Sequence, residues 1–533
     1  MHASDGGSIE RALSGTGRRF AIATPHVEAT AAGLEAFDSG GNAVDAALAA
    51  ATTLAVVYPH MCGVGGDLFA LIHEPDGRTV VLNASGAAAA ASDIDSLARQ
   101  FATMPESGPH AVTVPGAVSG WWQLGKHWSD LGFSRAFTRA ISLARDGTAV
   151  ARSLAESIRS HREQIFADPG LRDVYARDAT MLGEASILVQ TALARTLETL
   201  VDGGPEALYG GEIGASIADH LASLGGAMTI DDLAAHEAEL DSPLKLRYRD
   251  LDVNVAPPNS QGFVLLQILA AIERLEIDPD PLGPDAGTIA EVFRVTAIDR
   301  DRHNADPRFA RVPAGTLLDE GHLAGIVDQV REPQLSEAAR SFTDDTVALV
   351  AADHRGLAIA LIQSLYSGFG SGILDPATGV VLHNRGAAFV LDPDHPNALA
   401  GGKRPAHTLL PVIVEREGQL AAVTGTMGGG GQPQIDAMSI LRAFDLGMDA
   451  ASAVRAPRWL VGGMELGSTE RALVAEGAVP PSTRDALTTN GYRVDVLEDV
   501  SEDVGHAHLI RVMDDGSFDA GSDPRADGGV AAR

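Results

Sequence analysis

The stretch DDTVALVAADHRGLAIALIQSLY, Asp344 to Tyr366, decides how the chain is read. TVALVAAD (346–353) and GLAIALIQSLY (356–366) are β-branched and apolar, which predicts two strands joined by the turn Asp353-His354-Arg355-Gly356. Ahead of them REPQLSEAARSFTDD (331–345) is polar and charged without a long apolar period, an exposed connector. An acidic connector thus runs straight into a strand that opens on Thr346. A threonine there is ordinarily just a good strand former. Three features give it more weight. Ser364 follows 18 residues on in the next strand, so a hairpin brings a second hydroxyl beside the first. Met427-Gly428-Gly429-Gly430-Gly431 follows the strand LAAVTGT, and a glycine run lets backbone N–H groups approach a substrate as an oxyanion hole requires. No G-x-S-x-G motif, zinc-spaced histidine cluster or visibly paired cysteine competes.

Outward from this hairpin the chain mixes helix and strand signals. AVDAALAAATTLAVV (43–57), after the turn Ser39-Gly40-Gly41-Asn42, is apolar on nearly every face, as a helix sandwiched between layers is. Its apolar run, Ala46 to Tyr58, is shorter than the roughly 20 residues a membrane span needs. MCGVGGDLFALIHEPDG (61–77) reads as glycines leading into a strand that closes on a Pro-Asp-Gly turn. Trp121 to Leu240 is mostly helical with glycine stops, and GFVLLQILAAIERL (262–275) is a further helix. Beyond the hairpin, strands, turns and glycine loops alternate, with helices near 433–446 and 481–490.

Over 533 residues, 40 Lys and Arg stand against 71 Asp and Glu, a formal net charge of −31. Such a charge repels phosphate backbones and anionic lipid, so nucleic-acid and membrane-surface partners are not expected. At 45% hydrophobic and 21% charged, the composition is that of a globular chain and excludes a disordered one. The single cysteine, Cys62, excludes an internal disulfide or a Cys-rich metal site. MHASDGGSIERALSGTGRRF lacks the apolar core of a secretory signal, so a cytoplasmic location is expected.

Several motifs occur in a fixed order: ATPHVEATAAGLEAFDSGGNAVDAALAAA, PHMCGVGGDLF, TVPGAVSGW, ALYGGEIGASIADHL, GGAMTIDDLAAHEAEL and APPNSQGFVLLQIL. FGSGILDPATGVVLHNRGAAF, NALAGGKRPAHTLLPVIV, VTGTMGGGGQPQ, RAPRW and GSDPRADGG follow in the second half. Together they resemble the γ-glutamyltransferase family of N-terminal-nucleophile hydrolases along almost the whole chain. The resemblance implies a proenzyme that cuts itself between Asp345 and Thr346 and then uses Thr346 as nucleophile. The freed α-amine, with a reference pKa near 8, would serve as base. Ser364 falls where the family places a hydroxyl bonding the nucleophile. Gly428 and Gly429 fall where backbone donors hold the oxyanion.

The glutamyl-type clamp is depleted. ASGAAAAA (84–91) follows the strand VVLN where an arginine would stand, and neither Ser85 nor Ala87 can hold a carboxylate by charge. Ala388 replaces the amine-binding aspartate, Arg385 a glutamine, His407-Thr408 consecutive serines and Tyr366 an asparagine. An unpaired zwitterionic head group on burial costs several kcal/mol, roughly. QSLYSGFGSG, NRGAAF and KRPAHTLLP look more like the branch with oxamate amidohydrolase and cephalosporin-acylase-like members. In that branch Arg385 and His407, with Tyr366 and Thr408, are candidates for recognising an acidic or oxalyl-type acyl group. Cys62 reads as a small buried filler. Lys403-Arg404, Asp299-Arg300 and Asp523-Pro524-Arg525 read as structural ion-pair positions.

The fold class expected is α+β, a four-layer αββα sandwich of two antiparallel sheets with extra helices. Segments 1–345 and 346–533 would be interleaved in it. The function expected is that of an autoprocessed threonine amidohydrolase or acylase acting on a small, non-glutamyl amide. It would need no metal or organic cofactor. The two segments would stay together as a heterodimer, with a dimer of heterodimers as a possible assembly. Three other readings remain open on sequence: γ-glutamyl hydrolysis or transfer, C–C cleavage of an oxalyl-like unit, and an uncut, inactive binding scaffold.

Overall fold

The computed structural model describes residues 11–177, 180–332, 345–463 and 466–533; positions 333–344 of the expected connector lie outside them. In chain order the sheet strands begin with β1 (Ser14–Gly17), β2 (Phe20–Thr24), β3 (Asp67–His73), β4 (Thr79–Ala84), β5 (Glu239–Asp241), β6 (Leu244–Tyr248) and β7 (Leu251–Val255). They continue with β8 (Asp345–Asp353), β9 (Ala358–Tyr366), β10 (Val412–Arg416), β11 (Gln419–Thr426), β12 (Ala507–Val512), β13 (Phe518–Ser522) and β14 (Gly529–Ala532). One seven-stranded sheet runs β1-β13-β12-β11-β10-β7-β6, the other β14-β2-β8-β9-β3-β4-β5. All of these pairings are antiparallel. Strands from before and after residue 345 are mixed in both sheets.

Side-chain alternation assigns the layers. In β8, Ala348, Val350 and Ala352 join Phe69, Leu71, Ile413 and Val423 in the cluster between the sheets. Val347, Leu349 and Ala351 face the opposite way, into a cluster with the helices α1 (Val27–Asp38) and α2 (Ala43–Val57). The small alanines on the inner face let the two sheets approach closely.

Because α2 is wedged in that outer layer, all fifteen of its residues are buried, which explains its nearly uniform apolar sequence. Asn42 and Asp45 close a capping box at its start. Leu48, Leu54 and Val56, fully buried, each contribute roughly 1.5–3 kcal/mol relative to exposure.

A shorter helix, α3 (Arg152–Ser160), packs Leu154 and Ile158 in one cluster with Leu365 of β9 and Phe369 just beyond it. On the far side of the sandwich, α4 (Gly262–Leu275), α5 (Ala286–His303) and α6 (Gln432–Ile440) cover the other sheet. The result is the expected α+β sandwich with helices outside two antiparallel sheets. Among the described residues no helix is long and apolar enough to cross a membrane.

Candidate active site

Thr346 stands opposite Ser364 across the β8–β9 pair, and β3 continues the row with Asp67 opposite Ser364. Directly opposed residues of antiparallel strands share a face, here the one between the sheets. Thr346 Oγ1 donates to Ser364 Oγ at 3.2 Å, and Ser364 Oγ also accepts the Tyr366 N–H at 2.8 Å. Both hydroxyl side chains are buried.

The ladder is irregular between Asp345 and Thr346, and Tyr366, opposite Asp345, has φ +79°. A non-glycine residue held in this region costs about 1–3 kcal/mol and persists only where its surroundings fix it. The Arg385 guanidinium lies over the Tyr366 ring, 4.0 Å from its centre, and Nη1 donates to Thr408 Oγ1 at 3.2 Å. Arg385 is buried, so it belongs to the wall of the site and not to the protein surface.

The glycine turn comes from the opposite sheet. A Cβ on Gly425 of β11 would touch Ala348 and Ile362, so β11 crosses β8 and β9 closely. Beyond it Gly428 has φ +143° and Gly429 φ +50°, and a Cβ on Gly428 would lie 2.5 Å from Ile435 Cδ1. Among the described residues no acceptor takes the amide hydrogens of Gly428 or Gly429. Helix α6 begins directly after this turn, adding its positive end. Gln261 Nε2 donates to Thr408 O at 2.8 Å and to Gly429 O at 2.9 Å, tying the turn to the Arg385–Thr408–Tyr366 wall beside Thr346.

Behind Ser364 lies a charge centre that sequence reading missed. Asp67 is fully buried; its Oδ2 is 3.2 Å from His407 Nε2 and 3.5 Å from His383 Nδ1, and Oδ1 accepts the Gly86 N–H at 3.1 Å. Burial works against ionisation of Asp67, yet His383, His407 and Arg385 together hold its carboxyl below the usual carboxylate range. Burial, with Arg385 adding to it, pushes the His407 imidazole down to about 3, so the ring is neutral at pH 7. Leu409 N–H donates to His407 Nδ1 at 3.3 Å, which leaves Nε2 to carry the proton toward Asp67. Both ring nitrogens of His407 are thereby engaged inside the protein. The sequence signal for Asp67 was an acid on the inward face of an otherwise apolar strand. Gln261 gave none.

His407, Thr408 and Ala388, with Gln261 and Asn304, line a cavity of about 20 Å³, room for about one water. Gln261 Oε1 and Asn304 Oδ1 have no hydrogen-bond partner among the described residues. Ser85 is turned away from such a role: its hydroxyl donates to Asn83 Oδ1 at 2.7 Å. Cys62 is a buried thiol that burial pushes well above its ordinary range, in contact with Gln363 Nε2 at 3.3 Å. Of the positions read as ion pairs, Arg404 pairs with Glu239 at 2.7 Å and Arg525 with Asp523 at 2.9 Å. Lys403 differs, its ammonium donating to the Pro396 and Ala398 carbonyls at 2.6 and 2.8 Å. Asp299 and Arg300 turn to separate partners, His322 and Asp301.

A sandwich of this kind, with a hydroxyl pair at a strand start and an open glycine turn near it, defines a class of hydrolase. The gamma-glutamyltranspeptidase family model matches residues 29–533, and the chain belongs to that family of N-terminal-nucleophile hydrolases. Within it the chain is 37% identical to the oxamate amidohydrolase proenzyme of Klebsiella pneumoniae, covering 95% of this chain and 97% of the relative. It is 34% identical to the glutathione hydrolase-like YwrD proenzyme of Bacillus subtilis, covering 96% and 98%. The crystal structure of cephalosporin acylase from Bacillus halodurans superposes with a TM-score of 0.89 at 29% identity, covering 100% of this chain and 99% of that one.

Proposed function

We propose that the chain is a proenzyme that cuts itself between Asp345 and Thr346 and then acts as a threonine amidohydrolase or acylase on a small, non-glutamyl amide. The observation that carries this reading is the buried Thr346–Ser364 hydroxyl pair at 3.2 Å, tied by Gln261 to a glycine turn with free amide hydrogens. In processing, Thr346 Oγ attacks the Asp345 carbonyl carbon, the acyl group passes from nitrogen to oxygen, and water hydrolyses the ester. In turnover the freed α-amine takes the hydroxyl proton. The Oγ–acyl bond forms while the substrate C–N bond breaks, and the proton leaves with the departing amine. Water then releases the acid. Gly428 and Gly429 N–H groups stabilise the oxyanion at each tetrahedral stage.

On the acyl side, Arg385 with Thr408 suits a short group bearing a carboxylate, and Ala388 offers no charge to an α-amine. The oxamate amidohydrolase relative and the cephalosporin acylase structure support this choice over glutamyl chemistry. After cleavage the segments 1–345 and 346–533 stay together, because each sheet is built from strands of both.

Intact-mass spectrometry of the purified protein tests the reading. Two masses matching 1–345 and 346–533 are expected. Thr346→Ala should give one uncut chain without hydrolysis of oxamate, whereas Thr346→Ser should keep cleavage and part of the rate. Cleavage or turnover surviving in Thr346→Ala would overturn the mechanism. Faster release from a γ-glutamyl anilide than from oxamate would overturn the substrate class.

A further inference from the structure

A second, much larger cavity lies near the site. It is a cleft of about 910 Å³ between α3 and the segment 496–503. Neither His407, Thr408 nor Ala388 lines it. Its floor carries Met61 and Met427. The Met61 carbonyl accepts the N–H of Leu365, next to Ser364, at 2.8 Å, and Met427 immediately precedes the Gly428 turn. The cleft thus passes one residue from Ser364 and one from Gly428, although Thr346, Ser364, Gly428 and Gly429 do not themselves line it.

Its lining combines apolar surface with negative charge. Val496 and Val500 stand on its wall, each 53% exposed, although valines of this chain are mostly buried. Glu156, Glu498, Glu502 and Asp503 line it, against Arg152 as its only arginine or lysine among the described residues. The Arg152 charge is taken up by Glu502 at 3.1 Å and by Asp527 at 3.4 Å. Glu498 and Asp503 have no ion-pair partner among the described residues.

The floor adds a bare acceptor. His60 is fully buried, with Nε2 3.2 Å from Ser153 Oγ. With Glu502 ionised, Ser153 gives its one hydroxyl proton to Glu502 Oε1 at 2.6 Å, so the hydrogen between His60 and Ser153 comes from His60 Nε2. His60 Nδ1 is then a lone pair with no donor among the described residues. A buried acceptor of this kind is completed by an N–H or O–H donor.

We infer that this cleft is the amine side of the site, binding a leaving group with an apolar body and a positively charged nitrogen. The inference rests on the amidase reading above, whose product amine is an ammonium ion at neutral pH. It adds which amines are preferred.

Equilibrium binding of phenethylamine, 2-phenylethanol and phenylacetate to the wild-type protein at pH 7 tests it without turnover. The three probes share a ring and differ in charge. Phenethylamine is expected to bind about tenfold more tightly than the alcohol and phenylacetate more weakly than either, the charge preference fading in high salt. The exposed pair Glu498→Gln/Asp503→Asn, with its melting temperature checked, should bring amine and alcohol to within about twofold. Equal binding of amine and alcohol to wild type, or a preference untouched by the double substitution, would overturn the inference. Charge-selective binding with no hydrolysis of any amide would fault only the Thr346 reading. Hydrolysis without charge selectivity would fault only the cleft.

Discussion

Asp67 gathers two imidazoles and a guanidinium around one buried carboxylate, 297 positions ahead of the serine it stands beside in the sheet. Removing one charge of a buried pair costs about 3–5 kcal/mol. Burial keeps His383 and His407 below their ordinary range, so the charge that loses a carboxylate is the Arg385 guanidinium. Asp67→Asn keeps the shape and the acceptor for Gly86 N–H but removes the charge, so it should destabilise by about 3 kcal/mol at pH 7, read from denaturant midpoints. The carboxyl is held below its unfolded value, so its contribution is present above about pH 3.9 and is lost as pH falls further. The gap between the two proteins should accordingly close in strong acid; a constant gap would mean packing, not charge, is responsible. Thr346 and Ser364 were legible in the sequence because a short hairpin dictates their meeting. Asp67, His383 and Gln261 were not, since their partners arrive through sheet register and loop crossings set by distant segments.

The strand–turn–helix unit of β11, the glycine turn and α6 has the least freedom to change of any element in the site. Gly428 lies at φ +143° with Ile435 Cδ1 where a side chain would go, so Gly428→Ala must bend the turn or displace the helix. Misaligning one oxyanion donor typically costs roughly 10²–10³ in kcat. We expect Gly428→Ala to lose about a hundredfold in kcat with KM within a few-fold, measured by steady-state kinetics on oxamate. A KM effect alone would remove the turn from the transition state.

Elements of this kind were readable locally. β8, β9, α2 and α4 follow from apolar runs closed by turn and capping residues, and the helix near 433–446 appears as α6 continuing into a π-helical turn at Leu441–Asp445. The strand order was not readable, because antiparallel neighbours such as β2 and β14 are drawn from opposite ends of the chain by burial, with no local mark.

The whole molecule buries several neutral histidines. Burial lowers His26, His236 and His506 to about 4 and His407 and His508 to about 3. Each ring stays neutral in the folded chain but takes a proton below about pH 6.5 when unfolded. Unfolding is therefore favoured as pH falls from 6.5 toward 4, by roughly 1.4 kcal/mol per pH unit for each ring.

Three carboxyls act in the opposite sense, Asp445 by burial as well as the two that follow. Burial pushes Glu502 up to about 7 and Asp436 well above its ordinary value, so the fold keeps protons there that the unfolded chain gives up. Five rings outweigh three carboxyls, and the net slope is loss of stability toward acid within a window that begins near pH 6.5. Asp523, held far below its ordinary value by Arg525 and Arg458 despite burial, enters only below about pH 4. Thermal midpoints at pH 4.5, 5.5, 6.5 and 7.5 should thus fall by several degrees from 6.5 to 4.5 and change little above. A midpoint that holds or rises into acid would mean these rings are protonated in the folded protein, and the neutral His407 beside Asp67 would go with them.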